Sequence, residues 1–571
     1  MIEVKYRIPK SLNDFSFNPS EPVFADIETE KLYIGTRLVQ LYQPGQNDDE
    51  VIILDTDIIP EADIKAFIKP MWTVWFNASY DFGTLNMTTD KFDDIFYLAR
   101  LGFPFFKEYN LDKVIENLGF AGLYDGLDKK KLQKAGFVKG AYLSASQLKY
   151  SATDVVALSL LWQNETIQKW RNSIAYQVDI LSLKYAIVYQ QNGIMVDLPL
   201  RAKYEKEVDE DIVRLTKELP EGFNVNSPKQ VKAYLGTESS DYDTLVNYSV
   251  SDKPLAEKAH TIIYMRKALK EKGYLQSINH QYMLTRFNVA GAITGRFTSS
   301  GGDLPNGFNS QQIPRRLQPL FKPETEDTKV VGLDYSTLEL RIAASVFGEP
   351  VMYQELLNGE DLHTNMAALA TGKKVHPDGP LGDDYDALFT GDKTKGEYVT
   401  KKDRTLAKAL NFGYIYGMSA KTYQNYSLTR YALKISLEEA TKLRNLYFGK
   451  YKAIKKYHDE VWKNVGKANY IYTTALGRRV HPKIGTDAIN GPIQGSGSET
   501  TKLAVHYLCK EYPEALKLIF NVVHDAIYLR VPKADYDLWH ERVSKAMVKG
   551  WEEICKTSIF KYKDIPMPVG D

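Results

Sequence analysis

The hydrophobic and polar positions divide the chain into three stretches of different pattern. Up to about residue 165, apolar runs typical of strands alternate with segments of helical period; the runs read PVFADIE, VIILD and TVWFN. From about residue 170 to 290 the pattern is mostly helical and rich in Lys and Glu. From about residue 291 onward, Gly-rich turns, apolar strands and long helices alternate. The sequence therefore predicts a mixed α/β protein of several domains.

Two local signals add detail to this pattern. The run Asn226-Ser227-Pro228 predicts a helix that begins at Pro228, with Ser227 as its N-cap. The stretch 371–403 is rich in Gly, Asp and Lys. Such a composition is typical of an exposed loop, so we expect a loop or small subdomain inserted between two helices.

Composition and charge restrict the function less than the motifs do. The 571 residues carry 73 basic and 72 acidic side chains, so binding to nucleic acid would depend on local basic clusters. No run of about 20 apolar residues occurs, which predicts no membrane span. The first residues lack an apolar signal segment, and Cys509 and Cys555 alone make a disulfide framework improbable. These features suit a cytoplasmic protein.

A first group of acidic residues lies in the N-terminal stretch. Asp26 and Glu28 follow an apolar run and, on a strand, point to the same face. Two carboxylates on one face repel each other unless a cation lies between them, and Mg²⁺ takes such oxygen ligands. Asp81 follows another apolar run, and Tyr150 and Asp154 share one face of a helix. Taken alone, the Asp26–Glu28 pair is more typical of a solvated strand end.

A second group lies in the C-terminal half. Asp334 ends an apolar strand, and His524-Asp525 stands between two apolar strands. Charged residues in such surroundings are costly unless something binds them, although a β-turn with His-Asp at its tip is the plain alternative. Between these segments, one helix face carries two cations and then two aromatic rings: Arg404, Lys408, Phe412 and Tyr416. This stripe suits a nucleoside triphosphate, and an amphipathic helix with a buried aromatic end is its alternative.

These segments, in this order, resemble the motifs of family A DNA polymerases, the bacterial DNA polymerase I family and its phage relatives. The N-terminal group resembles the DnaQ-like (ribonuclease H-like) 3′–5′ exonuclease domain that many of them carry. The resemblance implies an α/β multi-domain protein with a right-hand palm, fingers and thumb. The implied segments are an exonuclease domain at 1–168, a mainly helical thumb at 169–293, palm at 294–348, fingers at 349–470 with the inserted loop 371–403, and palm again at 471–571.

The resemblance also implies two metal sites, each with two Mg²⁺ ions that Mn²⁺ could replace. The implied ligands are Asp334 and Asp525 in one site and Asp26, Glu28, Asp81 and Asp154 in the other. Tyr150 would position the attacking water of the exonuclease. In the polymerase site, Arg404 would contact the outer phosphates and Lys408 would protonate the departing pyrophosphate.

Further matches imply contacts to nucleotide and DNA. Phe412 would pack against the sugar, Tyr416 near the templating base and His363 near the triphosphate. Glu339 matches a steric gate that excludes a 2′-hydroxyl and so favours deoxynucleotides. The implied contacts to primer–template DNA are Arg296, Arg316, Asn490, Gln494 and His524. Contacts in the minor groove can test base-pair geometry without reading sequence.

Several positions depart from the family pattern. Ala526 stands where a third carboxylate usually follows Asp525, Thr337 replaces a usual Gln, and Thr486 stands near a usual Arg. These departures favour a phage or other divergent branch, hence the cytoplasm of a host. Because the chain begins with the exonuclease motifs, we expect no 5′ nuclease domain. We also expect a monomer; a helicase and a single-strand binding protein are the kind of replication partners such an enzyme uses, but no motif identifies them.

Three other functions remain open from the sequence. The first is a nuclease whose polymerase half is only a binding scaffold. The second is a non-catalytic DNA-binding protein, which would leave two clusters of carboxylates without an ion. The third is a polymerase that uses RNA templates or ribonucleotides, and Glu339 is the residue that argues against ribonucleotides.

Overall fold

The structure is a computed structural model that describes residues 3–32, 34–301, 304, 306–382 and 397–570. The N-terminal region is built on a six-stranded mixed sheet. Its strands are β1 (Lys5–Arg7), β2 (Val23–Lys31), β3 (Ile34–Tyr42), β4 (Glu50–Asp55), β5 (Trp72–Trp75) and β6 (Lys91–Asp94). They follow the order β1-β4-β3-β2-β5-β6 across the sheet, with β2 antiparallel to β3 and parallel to β5. The central strand β2 is therefore covered on both edges.

Eight helices accompany this sheet in the described residues. They are α1 (Glu61–Ile68), α2 (Ala78–Leu85), α3 (Ile95–Gly102), α4 (Leu111–Asn117), α5 (Lys129–Ala135), α6 (Ala145–Trp162), α7 (Glu165–Arg171) and α8 (Ile174–Tyr189). Helix α6 packs on β2, β3 and β4 and is buried along most of its length. It begins at a capping box in which Ser144 and Gln147 satisfy each other's backbone N–H groups.

A second, mainly helical region follows. Strand β7 (Ile194–Met195) pairs with β8 (Tyr282–Met283), and between them lie α9 (Leu198–Thr216), α10 (Pro228–Leu235), α11 (Tyr242–Ser249) and α12 (Ala256–Ser277). The predicted helix start at Pro228 is confirmed, because the Ser227 side chain accepts a hydrogen bond from the Gln230 backbone N–H. Helices α10, α11 and α12 share a small apolar core of their own.

The C-terminal half holds a four-stranded antiparallel sheet in the order β14-β15-β11-β16. Its strands and the short pairs around it are β9 (Arg286–Asn288), β10 (Thr298–Ser300), β11 (Thr328–Tyr335), β12 (Tyr472–Thr473), β13 (Arg479–Val480), β14 (Ile519–Val523), β15 (Ala526–Pro532) and β16 (Val569–Gly570). Short 3₁₀ helices occupy Asn47–Asp49, Ala121–Tyr124, Ser310–Gln312, Arg315–Phe321, Pro513–Lys517 and Lys533–Asp535.

Helices surround this sheet and build a separate lobe. They are α13 (Leu338–Phe347), α14 (Pro350–Leu357), α15 (Leu362–Thr371), α16 (Lys401–Ile415), α17 (Ala420–Tyr431), α18 (Leu437–Lys450), α19 (Lys452–Asn464), α20 (Gly485–Glu511) and α21 (Tyr536–Cys555). Helices α20 and α21 cross closely at Gly550, where an added Cβ would lie 2.9 Å from the Thr500 carbonyl oxygen. Only glycine permits that approach.

The predicted insertion lies between α15 and α16. Its flanks are joined by isolated bridges between Lys374 and Tyr398 and between Leu381 and Thr400. Residues 383–396 of the insertion lie outside the described residues. Within the described part of the chain, no helix is long and apolar enough to cross a membrane.

Candidate active sites

The N-terminal acidic residues converge on strand β2. Asp26 and Glu28 lie on one face of this strand, just before an irregularity in its pairing with β3. Asp154 approaches them from α6, and one oxygen from each of the three carboxylates lies within 4.8 Å of the others. Oxygens at this spacing can share a cation. The structure thus brings together three of the four acidic residues that the sequence singled out.

The fourth acidic residue, Asp81, lies on α2 and is 2% exposed. Its Oδ1 and the Oε1 of Glu28 are buried and have no hydrogen-bond partner among the described residues. Buried carboxylate oxygens without a donor are costly, and a bound cation removes that cost. The donor set, four carboxylates and no cysteine or histidine, fits a hard cation such as Mg²⁺.

Burial and mutual repulsion perturb these carboxyl groups strongly. Burial, and then the neighbouring carboxylates, raise the pKa values of Asp26, Glu28 and Asp81 well above their ordinary range. Burial also raises the pKa of Asp154 to about 6, although the nearby Lys129 ammonium opposes this shift. Without a cation, burial and the neighbouring charges therefore favour the protonated forms of these carboxyl groups.

Three other side chains surround Asp154. Tyr150, one helical turn before it on α6, is 5% exposed and hydrogen-bonds to its carboxyl group. The hydroxyl of Tyr124 also donates to Asp154 Oδ1. Lys129 Nζ lies 3.9 Å from the same oxygen and 3.2 Å from the centre of the Tyr124 ring. Sequence reasoning missed both Tyr124 and Lys129, because a lysine run is usually a solvated face.

A cleft of about 790 Å³ opens beside this cluster. Asp26, Asp81 and Tyr80 line it together with Arg100 and Lys107. The volume lies within the range of ligand sites, roughly 300–1,000 Å³.

The second acidic group, Asp334 and Asp525, lies at one end of the four-stranded sheet β14-β15-β11-β16, called the palm-like sheet below. Strands β11 and β15 pair with Leu333 opposite Ile527, so Asp334 and Asp525 emerge at the same end. His524 makes the turn before Asp525 with a φ of 56°, a left-handed conformation that is uncommon outside glycine. The carboxyl groups of Asp334 and Asp525 lie within hydrogen-bonding contact of each other.

Burial and their mutual contact disfavour simultaneous ionisation of the two carboxyl groups of this pair. Burial first, and then the Asp334 charge, raise the pKa of Asp525 to about 7, and burial also raises the pKa of Asp334. Burial lowers the pKa of His524, and the nearby Arg296 charge adds to this effect. Two carboxylates forced into contact form a plausible seat for divalent cations, with further oxygen ligands supplied by a phosphate group.

Arg296 and Glu339 form a salt bridge near Asp334 and Asp525, with Arg296 Nη2 2.5 Å from Glu339 Oε1. Both side chains are partly exposed, at 30% and 24%. The Glu339 charge also contributes to the raised pKa of Asp525, which shows that this carboxylate lies close to the acidic pair. Glu339 is the second residue of α13, which begins at Leu338 directly after Thr337, a residue with a φ of 52°.

The predicted stripe lies on α16, as its spacing required. Arg404 Nε lies 2.5 Å from Asp361 Oδ2, whereas Lys408 is exposed and has no ion-pair partner among the described residues. The Phe412 and Tyr416 rings stack at 6.3 Å with an angle of 28°. One end of the stripe thus offers a free cation and the other an aromatic surface.

His363 lies behind this stripe. It is 2% exposed, its ring centre is 5.7 Å from that of Phe412, and its Nδ1 contacts Asn411 Nδ2 at 2.9 Å. Burial lowers the pKa of His363 to about 4, so the ring is neutral near pH 7. His363 therefore packs against Phe412, at the aromatic end of the stripe.

The predicted DNA contacts fall into two groups. Asn490 and Gln494 lie one turn apart on α20 and are half-buried, and Asn490 Oδ1 has no partner among the described residues. Arg316 instead lies among carboxylates of α9 and α12: Glu207 and Asp211, each at 2.9 Å, and Glu271 at 3.5 Å. Its charge is compensated by the protein itself.

A buried charged network fixes the loop that carries Arg296. Asp179 on α8 pairs with Arg478 and with Lys502, whose Nζ is 2.7 Å away. Lys502 Nζ also donates to the Gly295 carbonyl oxygen at 2.8 Å, and the hydroxyl of Ser498 donates to the same oxygen at 3.0 Å. No sequence signal marked these residues, because a lysine within a helix is usually exposed.

Comparison with known proteins identifies a family model and several relatives that match this chain. A family model described as DNA polymerase family A matches residues 199–378 and 389–559. A curated relative, DNA polymerase I of Aquifex aeolicus strain VF5, is 28% identical over 92% of this chain and 93% of its own length. DNA polymerase I of Streptococcus pneumoniae strain TIGR4 is 29% identical over 60% of this chain, and the match spans 40% of that relative.

A solved structure shares the fold. The POL domain of Pol1 from M. smegmatis, in complex with DNA primer-template and dNTP, superposes with a TM-score of 0.72. The match covers 96% of this chain and 94% of that chain at 21% sequence identity. At this identity the likeness establishes the fold, a mixed α/β arrangement.

Proposed function

The chain belongs to DNA polymerase family A, and from this premise we propose that it is a template-directed DNA polymerase with a separate 3′–5′ exonuclease site. The observation that carries the proposal is the contact between Asp334 and Asp525 at the end of the palm-like sheet. A binding protein has no use for two carboxyl groups held against each other, whereas a phosphoryl transferase does.

Asp334 and Asp525 would hold divalent cations, Mg²⁺ by preference and Mn²⁺ as a substitute. When bound, these cations stabilise the charge that develops as a primer 3′-hydroxyl attacks the α-phosphate of a nucleotide. Ala526 stands where a third carboxylate is usual, but both members of the acidic pair, Asp334 and Asp525, are present. We expect primer–template DNA and deoxynucleoside triphosphates as the substrates.

The stripe on α16 would bind the triphosphate. Lys408 is exposed and unpaired in the described structure, so its ammonium can meet a phosphate oxygen and donate a proton to the departing pyrophosphate. Arg404 would exchange its bond to Asp361 for the outer phosphates. Phe412 would pack against the sugar and Tyr416 against the templating base pair, with the buried ring of His363 supporting them.

Glu339 would select the sugar. Its carboxylate is held by Arg296 and lies close enough to Asp525 to perturb its pKa. A carboxylate fixed at that point would meet the 2′-hydroxyl of a ribonucleotide before the α-phosphate reached the acidic pair. The substrate would therefore be a deoxynucleotide.

Contacts to the duplex would come from Arg296, Asn490, Gln494 and His524. Asn490 Oδ1 is buried and lacks a hydrogen-bond partner in the described structure, so a donor from a bound ligand would complete its hydrogen bonding. Arg316 is a weaker candidate than the sequence suggested. Three carboxylates already surround its guanidinium group, so we assign it to the junction of α9 and α12 with the palm.

The second site would remove nucleotides from a 3′ end. Asp26, Glu28, Asp81 and Asp154 would hold two cations, and the orphaned oxygens of Glu28 and Asp81 support this assignment. Tyr150 is held beside Asp154 and would orient the attacking water. Proofreading follows if both sites act on the same primer. The domain limits, the phage origin, the monomeric state, the cytoplasmic location and the replication partners stay predictions.

Primer extension on a recessed 3′ end, with Mg²⁺, tests the proposed function. With all four deoxynucleotides we expect the primer to lengthen, and without them we expect it to shorten. Shortening under both conditions would favour a nuclease with a binding scaffold. No reaction of the folded protein in either condition would leave DNA binding as the function.

A further inference from the structure

Lys129 is the first residue of α5, and its ammonium group lies at the edge of the N-terminal acidic cluster. This cluster consists of Asp26, Glu28, Asp81 and Asp154. The Lys129 Nζ lies 3.9 Å from Asp154 Oδ1 and forms a closer salt bridge with Asp112 of α4. The Lys129 side chain is 16% exposed, whereas that of Asp112 is 56% exposed. The ammonium group is therefore held within the site, and its closer carboxylate partner belongs to a mostly exposed side chain.

Two aromatic rings surround the Lys129 ammonium group. Its Nζ lies 3.2 Å from the centre of the Tyr124 ring and 5.7 Å from that of the Tyr150 ring. A cation over an aromatic face is attracted by the quadrupole of the ring. Both tyrosines also hydrogen-bond to the Asp154 carboxyl group, which fixes their rings relative to the cluster. The ammonium group thus has a defined place beside the carboxylates.

The stability of α5 does not explain a lysine at this position. Three successive lysines begin the helix, where the helix dipole disfavours positive charge. Burial raises the pKa values of three carboxyl groups in the cluster, and the Lys129 charge opposes that rise at each of them: Asp26, Glu28 and Asp154. One ammonium group cannot neutralise four carboxylates, so it does not replace the cation that this donor set suits. The alternative is that Lys129 only joins α5 to α4 through Asp112.

A phosphodiester bound at the cluster would bring a second negative partner next to Lys129. Hydrogen bonds from an ammonium group to a phosphate are strong, and a phosphate oxygen can compete with the exposed Asp112 carboxylate for Nζ. We propose that Lys129 is a further catalytic residue of the exonuclease, whose ammonium group contacts the scissile phosphate and stabilises the negative charge that develops there during hydrolysis. This inference rests on the proposed exonuclease function.

The proposed step conserves the proton of Lys129. Water attacks phosphorus and gives up one proton to solvent. The bond from phosphorus to the 3′ oxygen breaks, its electron pair stays on that oxygen, and the oxygen takes a proton from solvent. Lys129 remains an ammonium group throughout and contributes charge rather than a proton.

Replacement followed by chemical rescue tests this role. Lys129→Cys removes the ammonium group, and alkylation of the introduced thiol with 2-bromoethylamine restores one at nearly the same length. Cys509 and Cys555 are buried, and burial raises the pKa of each to about 12, so the introduced thiol is the one that reacts. We expect Lys129→Cys to slow 3′ excision from a single strand about a hundredfold, the scale of losing one charge-stabilising donor. Alkylation should recover at least about tenfold of this loss.

Two further variants separate catalysis from structure. Lys131→Cys, on the same helix, is the matched control because its side chain is exposed, and its excision rate should stay within about twofold with or without alkylation. Asp112→Asn removes the salt bridge to α4 and keeps the Lys129 ammonium group, so excision should again stay within about twofold. A loss with Asp112→Asn as large as with Lys129→Cys would assign Lys129 a structural role and overturn the inference. Alkylation that is complete by mass spectrometry and restores no excision would overturn it too.

A binding measurement supplies a readout that does not depend on activity. The affinity for a fluorescent single strand of four thymidine nucleotides is measured in EDTA at several salt concentrations. Losing one phosphate contact should reduce the slope of log affinity against log salt by about 0.7 in Lys129→Cys and leave the slope of Lys131→Cys unchanged. Equal slopes in Lys129→Cys and the unaltered protein would overturn the inference.

Failure of the proposed exonuclease has a different signature. If the unaltered protein does not shorten a single strand with Mg²⁺, the exonuclease proposal fails. The salt slope in EDTA then decides whether Lys129 contacts phosphate: a reduced slope in Lys129→Cys supports the contact, and an unchanged slope removes it.

Discussion

Single carboxyl groups would carry the proposed chemistry of both acidic sites, and each is held where a lone negative charge is costly. Asp334 and Asp525 touch each other, and Asp26, Glu28 and Asp154 crowd within 4.8 Å. The sequence allowed the prediction that Asp26 and Glu28 share a face, because strand geometry fixes it. It did not indicate Tyr124 or Lys129 beside Asp154, since their approach depends on how a distant loop packs.

The titration of Asp525 gives a first prediction. Its folded-state pKa of about 7 lies above the unfolded value of about 3.9, so the folded protein holds the extra proton. The stabilisation of the folded state by this proton on Asp525 is complete below about pH 4 and is lost as the pH rises through about 7. In EDTA we expect the Tm to fall by about 4 °C over that window, and Mg²⁺ to restore it at high pH.

Asp525→Asn is the control for this titration, because an amide neither titrates nor repels Asp334. Its Tm in EDTA should depend less steeply on pH than that of the unaltered protein. Thermal unfolding followed by circular dichroism measures both. Identical pH profiles for the two proteins would contradict a shared proton at this pair.

Sugar selection gives a second prediction at this scale. Glu339→Ala removes the carboxylate that would meet a 2′-hydroxyl, so incorporation of ribonucleotides relative to deoxynucleotides should rise about tenfold to a hundredfold. Steady-state incorporation of a single nucleotide measures the ratio. Glu339→Gln keeps the side-chain volume and removes the negative charge that pairs with Arg296. It should therefore retain most of the discrimination against ribonucleotides. An Ala variant as selective as the unaltered chain would remove Glu339 from this role.

At the scale of elements, local signals in the sequence were reliable where the cause is local. Ser227 and Pro228 begin α10 as predicted, because a cap and a proline act within one turn. The stripe on α16 kept its helical spacing for the same reason. Arg316 was predicted to contact DNA, and Lys502 was not singled out. The sequence did not indicate their ion-pair partners, which lie on α9, α12 and α8, far away along the chain.

The crossing of α20 and α21 gives a prediction for an element. Gly550→Ala forces a methyl group against the Thr500 carbonyl and the Ala504 backbone, so unfolding should require about 1–3 kcal/mol less free energy. Gly449→Ala is the matched control, because a Cβ there meets nothing within 4 Å on α18. That control should be neutral or stabilising by up to about 1 kcal/mol. Urea denaturation measures both, and equal effects would contradict the close crossing.

For the whole molecule, the charge distribution matters more than the sum of +1. Lys408, Arg479 and Lys107 are cations without ion-pair partners in the described structure. The comparisons add what no single motif could, since a match over residues 199–378 and 389–559 identifies the family as a whole.

Salt dependence follows from this distribution. Each phosphate contact releases counterions, so affinity for primer–template DNA should fall on the order of a hundredfold or more between about 50 and 200 mM salt. Fluorescence anisotropy of a labelled duplex measures it in the absence of nucleotides. Lys408→Ala should leave the slope nearly unchanged, because that residue would meet the triphosphate rather than the duplex. A flat response in the unaltered chain would contradict the proposed phosphate contacts.

The central claim is that one chain holds two independent sites of phosphoryl chemistry. Separation of function tests it most directly, on one labelled primer–template with Mg²⁺. Asp525→Ala should abolish extension and leave 3′ shortening intact, and Asp26→Ala/Glu28→Ala should abolish shortening and leave extension intact. If either variant, folded by circular dichroism, loses both activities together, the two-site account is contradicted.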